Sequence, residues 1–141
     1  MQDNNRVAIF IDSNYLNKVL EQTFNRVRID YNKLVEELTG NIEILRTYYY
    51  NCLPWQSNIP TEETKRMRAS QQFYSALQAL PRFNVRLGKL AYRGTDSNGR
   101  PIYVQKRVDV LLCVDLLQLV STKQIDHIIL VAGDSDFVPV I

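Results

Sequence analysis

Two short runs, Val7-Ala8-Ile9-Phe10-Ile11 and Ile128-Ile129-Leu130-Val131-Ala132, are continuously apolar, rich in β-branched residues and bounded by polar ones. Runs of this kind predict strands covered on both faces, the central members of a parallel sheet. The stretches 41–51 (NIEILRTYYYN) and 83–93 (FNVRLGKLAYR) predict two more strands. Helical patterns separate them at 15–22, 31–38, 62–80 and 108–120, with Asp30 placed to cap the second. Strands alternating with helices imply βαβ units and an open α/β sheet. Residues 93–106 interrupt the alternation with a Gly-containing turn and a short run, Ile102 to Val104, read as an added hairpin or extension. No internal repeat or low-complexity segment is visible.

The strand ends carry the chemistry. In open α/β sheets the functional crevice lies outside the carboxyl ends of the strands. Here the first strand runs into Asp12 and the last into Asp134 and Asp136, with Ser135 between them. Asp109 opens a helix that is otherwise apolar nearly all round, and Asp115 interrupts that helix six residues on, about 240° around the axis. Asp115 is therefore assigned a supporting or structural role. Each acid also has a plain structural reading: Asp12, Asp134 or Ser135 can cap a helix, and Asp109 can complement a helix dipole. Taken together, several carboxylates at one sheet edge repel one another unless a cation sits among them. An all-oxygen site of this type suits Mg²⁺ or Mn²⁺.

Length and composition fit one globular domain, 1–141, with 45% hydrophobic residues to build a core. No apolar stretch approaches the ~18 residues of a membrane span, and the N-terminus MQDNNR lacks the layout of a secretory signal. The expectation is a cytoplasmic protein without a membrane partner. Cys52 and Cys113 have no CxxC spacing and His127 is the single histidine, so a zinc site has little to be built from.

The net charge of +2 conceals a segregation: basic and acidic side chains number 6 and 7 over residues 1–60, 10 and 3 over 61–107, and 1 and 5 over 108–141. A basic middle favours a polyanion, although charge runs also serve solubility alone.

Three blocks, VAIFIDSNYLNKVL, QKRVDVLLCVDLL and ILVAGDSDFVPVI, in this order and separation, resemble the NYN domain family, PIN-like ribonuclease relatives that include the LabA-like proteins. The resemblance implies a PIN-like three-layer α/β/α fold with a central, mostly parallel sheet, truncated here before a C-terminal helix and strand. It also implies metal-dependent phosphodiesterase chemistry on RNA. By position, the metal ligands would be Asp12, Asp109, Asp134 and Asp136, with Asn14 and Lys106 at the rim. Ser13-Asn14 stands where the family often has Gly and a later Asn, and Arg107 where it commonly has Gly.

The expected activity is hydrolysis of RNA, single-stranded by preference, with a divalent ion activating water. Lys106 or Arg107 would meet the scissile phosphate. Arg66, Arg68, Arg86, Lys89, Arg93 and Arg100 would track the flanking backbone. Among the rings of TYYYNCLPW, most are assigned to packing, and only Tyr50 or Trp55 is expected to be exposed for base stacking. Two other classes remain. A non-catalytic module could bind RNA or a protein, alone, as a homo-oligomer or beside further domains. A different nucleotide-binding or phosphotransfer enzyme is argued against by the absence of GxxxxGK[ST] and GxGxxG.

Overall fold

The computed structural model describes residues 5–25, 28–53, 62–106 and 108–133. In chain order they form β1 (Arg6–Asp12), α1 (Ser13–Thr23), α2 (Tyr31–Thr39), β2 (Glu43–Leu53), α3 (Glu62–Gln78), β3 (Phe83–Thr95), β4 (Pro101–Lys106), α4 (Val108–Ser121) and β5 (His127–Val131). The strands make one sheet in the order β4-β3-β2-β1-β5. β1 pairs in parallel with β2 and β5, β2 in parallel with β3, and β4 antiparallel with β3.

The two apolar runs do become neighbouring strands, but only the first is central and fully covered: among the described residues β5 ends the sheet, with Ile128 exposed and Ile129 to Val131 half-buried. Val7 to Ile11 are fully buried, because β1 has strands on both sides and helices on both faces. Pleating sends alternate side chains to opposite layers. Ala8 and Phe10 pack with Tyr50, Cys52, Val108, Leu112, Leu116 and Leu119 under α4. Ile9 and Ile11 pack with Tyr49, Leu16 of α1, Val35 of α2 and Tyr74 and Leu77 of α3. The result is a three-layer α/β/α sandwich, each large buried side chain contributing about 1.5–3 kcal/mol of transfer free energy.

Local signals set the element ends. Asp30 caps α2 as expected, its Oδ1 accepting from the Lys33 amide at 3.1 Å. Gly40, at φ +60°, stops that helix while its N–H bonds to the Glu36 carbonyl. α1 starts at Ser13, two residues earlier than the apolar pattern indicates, because Asp12 itself is the N-cap. The interruption at 93–106 is the β3–β4 hairpin; Asp96 Oδ1 accepts from the Asn98 and Arg100 amides, both at 2.9 Å, and Gly99 takes φ +77°. Among the described residues no helix is long and apolar enough to cross a membrane.

Candidate active site at the carboxyl edge of the sheet

Asp12 ends β1 directly opposite Tyr50 of β2, and Tyr50 stands opposite Arg86 of β3. This row is the last one in which β1 takes part. Asp12 is nearly buried, at 8% exposure, and its Oδ1 accepts the Asn14 amide at 3.1 Å, which fixes the carboxylate at the mouth of α1. Asn14 is exposed beside it in the helix's first turn. Ser13 is fully buried.

The register carries α4 to the same edge. Leu53, three residues past Tyr50, pairs with Lys89, and Lys89 pairs with Lys106 at the end of β4. Two residues later α4 begins, with Asp109 exposed in its first turn. Asp12 and Asp109 thus belong to one edge of the sheet, on two elements 97 positions apart in sequence numbering. Burial pushes the Cys113 thiol up, and the Asp109 carboxylate one turn before it adds to the effect. A thiol held protonated is a poor nucleophile and a poor metal ligand.

Asp115 faces inward, as a supporting residue would. Its Oδ2 accepts from the Tyr50 hydroxyl at 2.8 Å and from Arg86 Nε at 3.0 Å, and its Oδ1 accepts from Arg86 Nη2 at 3.1 Å. Burial first, and then this hydrogen bond, push the Tyr50 phenol far above the ordinary tyrosine range. Of the two alternatives for an exposed stacking ring, Tyr50 or Trp55, Tyr50 is ruled out: it has 0% exposure. Its parity in β2 turns it under α4, where Phe10 and Tyr48 stack beside it and Asp115 meets its hydroxyl. Arg86, expected along an RNA backbone, has its planar edge committed to Asp115.

On the opposite face Tyr49 joins the edge to the helical layer. Burial raises its phenol, hydrogen bonding with Tyr31, Ser13 and Asn51 works against that, and the Asp12 charge raises it further. Its ring meets Tyr31 edge-on at 5.5 Å between centroids.

Arg68, Arg93 and Arg100 are exposed. The side chains of Arg66, Lys89 and Lys106 lie outside what is described, as do residues Trp55, Arg107, Asp134, Ser135 and Asp136 entirely. Among the described residues no group of three or more His, Cys, Asp and Glu comes together. His127 is at the far end of β5, opposite Val7, with its Nε2 2.8 Å from Asn5 Oδ1.

One close approach has no counterpart among the sequence expectations. A Cβ on Gly133 would lie 2.5 Å from Cε2 and 2.7 Å from Cδ2 of the Tyr15 ring. The glycine before Asp134 lets α1 approach the chain leaving β5. A glycine between an apolar strand and an acid is a visible signal, but the sequence does not show what it accommodates.

No curated protein matches the chain. Among solved structures, a protein of unknown function from Vibrio parahaemolyticus RIMD 2210633 has a similar fold. Its TM-score is 0.61 at 23% sequence identity, over 99% of this chain and 74% of the other. The sequence profile of the NYN domain matches residues 6–141, from the first residue of β1 through the acidic block after β5. The chain belongs to the NYN domain family.

Proposed function

We propose that the chain is a metal-dependent ribonuclease that hydrolyses phosphodiester bonds of single-stranded RNA in the cytoplasm. The observation that supports this reading is that β1 ends in Asp12 and α4 opens with Asp109 on the carboxyl side of the sheet, in a member of the NYN family.

The donor chemistry fits Mg²⁺ or Mn²⁺: Asp12 and Asp109 offer hard oxygens, Cys113 beside Asp109 is held protonated, and His127 is remote. Asp12 and Asp109, with Asp134 and Asp136, would hold the ion. When bound, such an ion supplies the Lewis acidity that activates water and offsets charge on the phosphoryl group. The chain's own residues do the positioning. The cap on α1 orients Asp12, and Asn14 faces the incoming ribose or phosphate. Lys106 and Arg107 would meet the scissile phosphate and Lys89 its flank, with Ser135 beside the acids, whereas Arg86 and Asp115 hold α4 to the sheet.

The test is cleavage of a labelled single-stranded RNA with Mn²⁺, Mg²⁺ or chelator, by the wild type and Asp12→Asn. Cleavage that needs metal and disappears in Asp12→Asn sustains the reading. Metal-independent binding without cleavage in both proteins would make it a non-catalytic RNA-binding module instead.

A further inference from the structure

A pocket of about 580 Å³ opens among α1, the segment before α2, and α3, lined by Asn17, Leu20, Glu21, Arg28, Ile29, Tyr31 and Phe73. The core does not need it. Phe73 keeps 40% of its surface exposed although three aromatic rings surround its inner side: Tyr31 at 5.9 Å, Tyr49 at 6.1 Å and Tyr74 at 5.7 Å between centroids. These neighbours brace the ring from behind and leave a flat apolar face outward. Arg28 is exposed at the rim and makes no ion pair among the described residues.

The pocket is wired to the acidic edge by Tyr49. That ring touches both Tyr31 and Phe73, and its hydroxyl lies in the field of Asp12. Tyr49 thus lies between the pocket and the acidic edge.

We infer that this pocket is a nucleobase subsite, in which a base of single-stranded RNA stacks on Phe73 with its edge toward Asn17 and its backbone toward Arg28. The inference rests on the ribonuclease reading and adds to it a place for an unpaired base. A base suits the site better than a phosphate does. The walls are mostly aromatic and aliphatic, and a stacked base is sequence-tolerant because every base has a π-face. The Asn17 amide both donates and accepts, as the edge of a base requires. Arg28 at the rim supplies a cation for a flanking phosphate.

The experiment is a binding scan in chelator, where no cleavage intervenes, with short single-stranded RNAs carrying one abasic position moved along the strand. For the wild type, one position should weaken binding by roughly 5- to 100-fold, the worth of one stacked base. Phe73→Leu, which keeps an apolar side chain against Tyr49 and Tyr74, should bind the intact RNA that much more weakly and lose the position dependence. Phe73→Trp should restore both. If Phe73→Leu and wild type give the same abasic profile while metal-dependent cleavage by the wild type still requires Asp12, the subsite is overturned and the ribonuclease reading stands. Absence of RNA binding by the wild type overturns both. Wild-type RNA affinity in Phe73→Leu with loss of self-association in sedimentation would give the pocket to a second copy of the chain.

Discussion

Arg86 and Asp115 form a two-pronged ion pair between β3 and α4, Nε to Oδ2 at 3.0 Å and Nη2 to Oδ1 at 3.1 Å, with the Tyr50 hydroxyl on the same Oδ2. The pair is asymmetric: the Arg86 side chain is 41% exposed and that of Asp115 10%. Removing Arg86 therefore strands a buried charge, whereas removing both partners strands no charge and leaves only the Tyr50 hydroxyl without its acceptor. Arg86→Ala should cost about 1–3 kcal/mol, less than a fully buried pair because solvent screens the guanidinium. The double variant Arg86→Ala with Asp115→Ala should be less destabilised than the sum of the singles. Chemical denaturation of the four proteins measures the coupling, and additive singles would show that the pair does not hold α4 to the sheet.

The buried phenols give the protein an alkaline limit. Burial is the leading cause that raises Tyr31, Tyr49, Tyr50 and Tyr74 above the ordinary value. In the unfolded chain these groups ionise near pH 10. The folded state keeps its protons where the unfolded state loses them, so stability is fully present below about pH 10 and declines as pH rises beyond it. Ultraviolet titration of the eight tyrosines should resolve a set ionising near pH 10 and a set that ionises only together with loss of the circular dichroism signal. A single transition for all eight, with the fold intact, would contradict this burial.

How much of this is legible in the sequence depends on whether the signal is local. Val7 to Ile11 declare themselves as a strand because burial on both faces demands continuous apolar residues, and Asp30 declares its cap because the bond spans three residues; Ile128 to Val131 carry the same apolar signal, yet among the described residues they form the last strand of the sheet and are only partly buried. Asp12 is legible as an edge carboxylate and also as a cap, and it is both. Tyr50 is hard to place because parity within β2 decides which layer a ring enters, and three consecutive tyrosines hide that parity. Arg86 resembles a polyanion ligand in sequence because its partner, Asp115, lies 29 residues away on an element whose packing only the fold creates.

Gly133 and Tyr15 provide a test of the close approach beside the acidic block. Gly133→Ala should displace the Tyr15 ring, which is 39% exposed and can swing outward, at a cost of about 1–3 kcal/mol of overpacking. In a Tyr15→Ala background the same alanine should cost almost nothing. Equal penalties in both backgrounds would place the strain in the backbone instead.

α4 carries an apolar stripe away from the core: Val110, Val114, Leu117 and Val120 are exposed by 64%, 53%, 51% and 46%. On the same sheet face Ile128 of β5, the last strand of the sheet among the described residues, is 38% exposed. Contiguous apolar surface beside an open strand edge promotes association. Val114→Glu with Leu117→Lys should raise the monomer fraction of this 141-residue chain in light scattering at unchanged secondary structure. Indifference to both charges would mean that association, if any, uses another face.

The last expectation separates holding RNA from cutting it. Exposed Arg93 and Arg100 belong to the basic middle of the chain, on the β3–β4 hairpin that extends past the row of Asp12. Arg93→Ala with Arg100→Ala should weaken RNA binding and flatten its salt slope by roughly 0.7 for each phosphate no longer neutralised on a single strand. Cleavage at saturating RNA should persist. Asp12→Asn should do the opposite, because it removes a metal ligand and a repulsive charge together while sparing the helix, asparagine being as good an N-cap as aspartate. Binding should then be kept or tightened, the rise in melting temperature on adding Mn²⁺ should shrink, and cleavage should vanish. Filter binding over a salt series, thermal melts with and without metal, and single-turnover cleavage together decide the matter. An Asp12→Asn protein that cuts at the wild-type rate would remove the chemistry from this edge, and arginine variants with an unchanged salt slope would move the RNA path to another face.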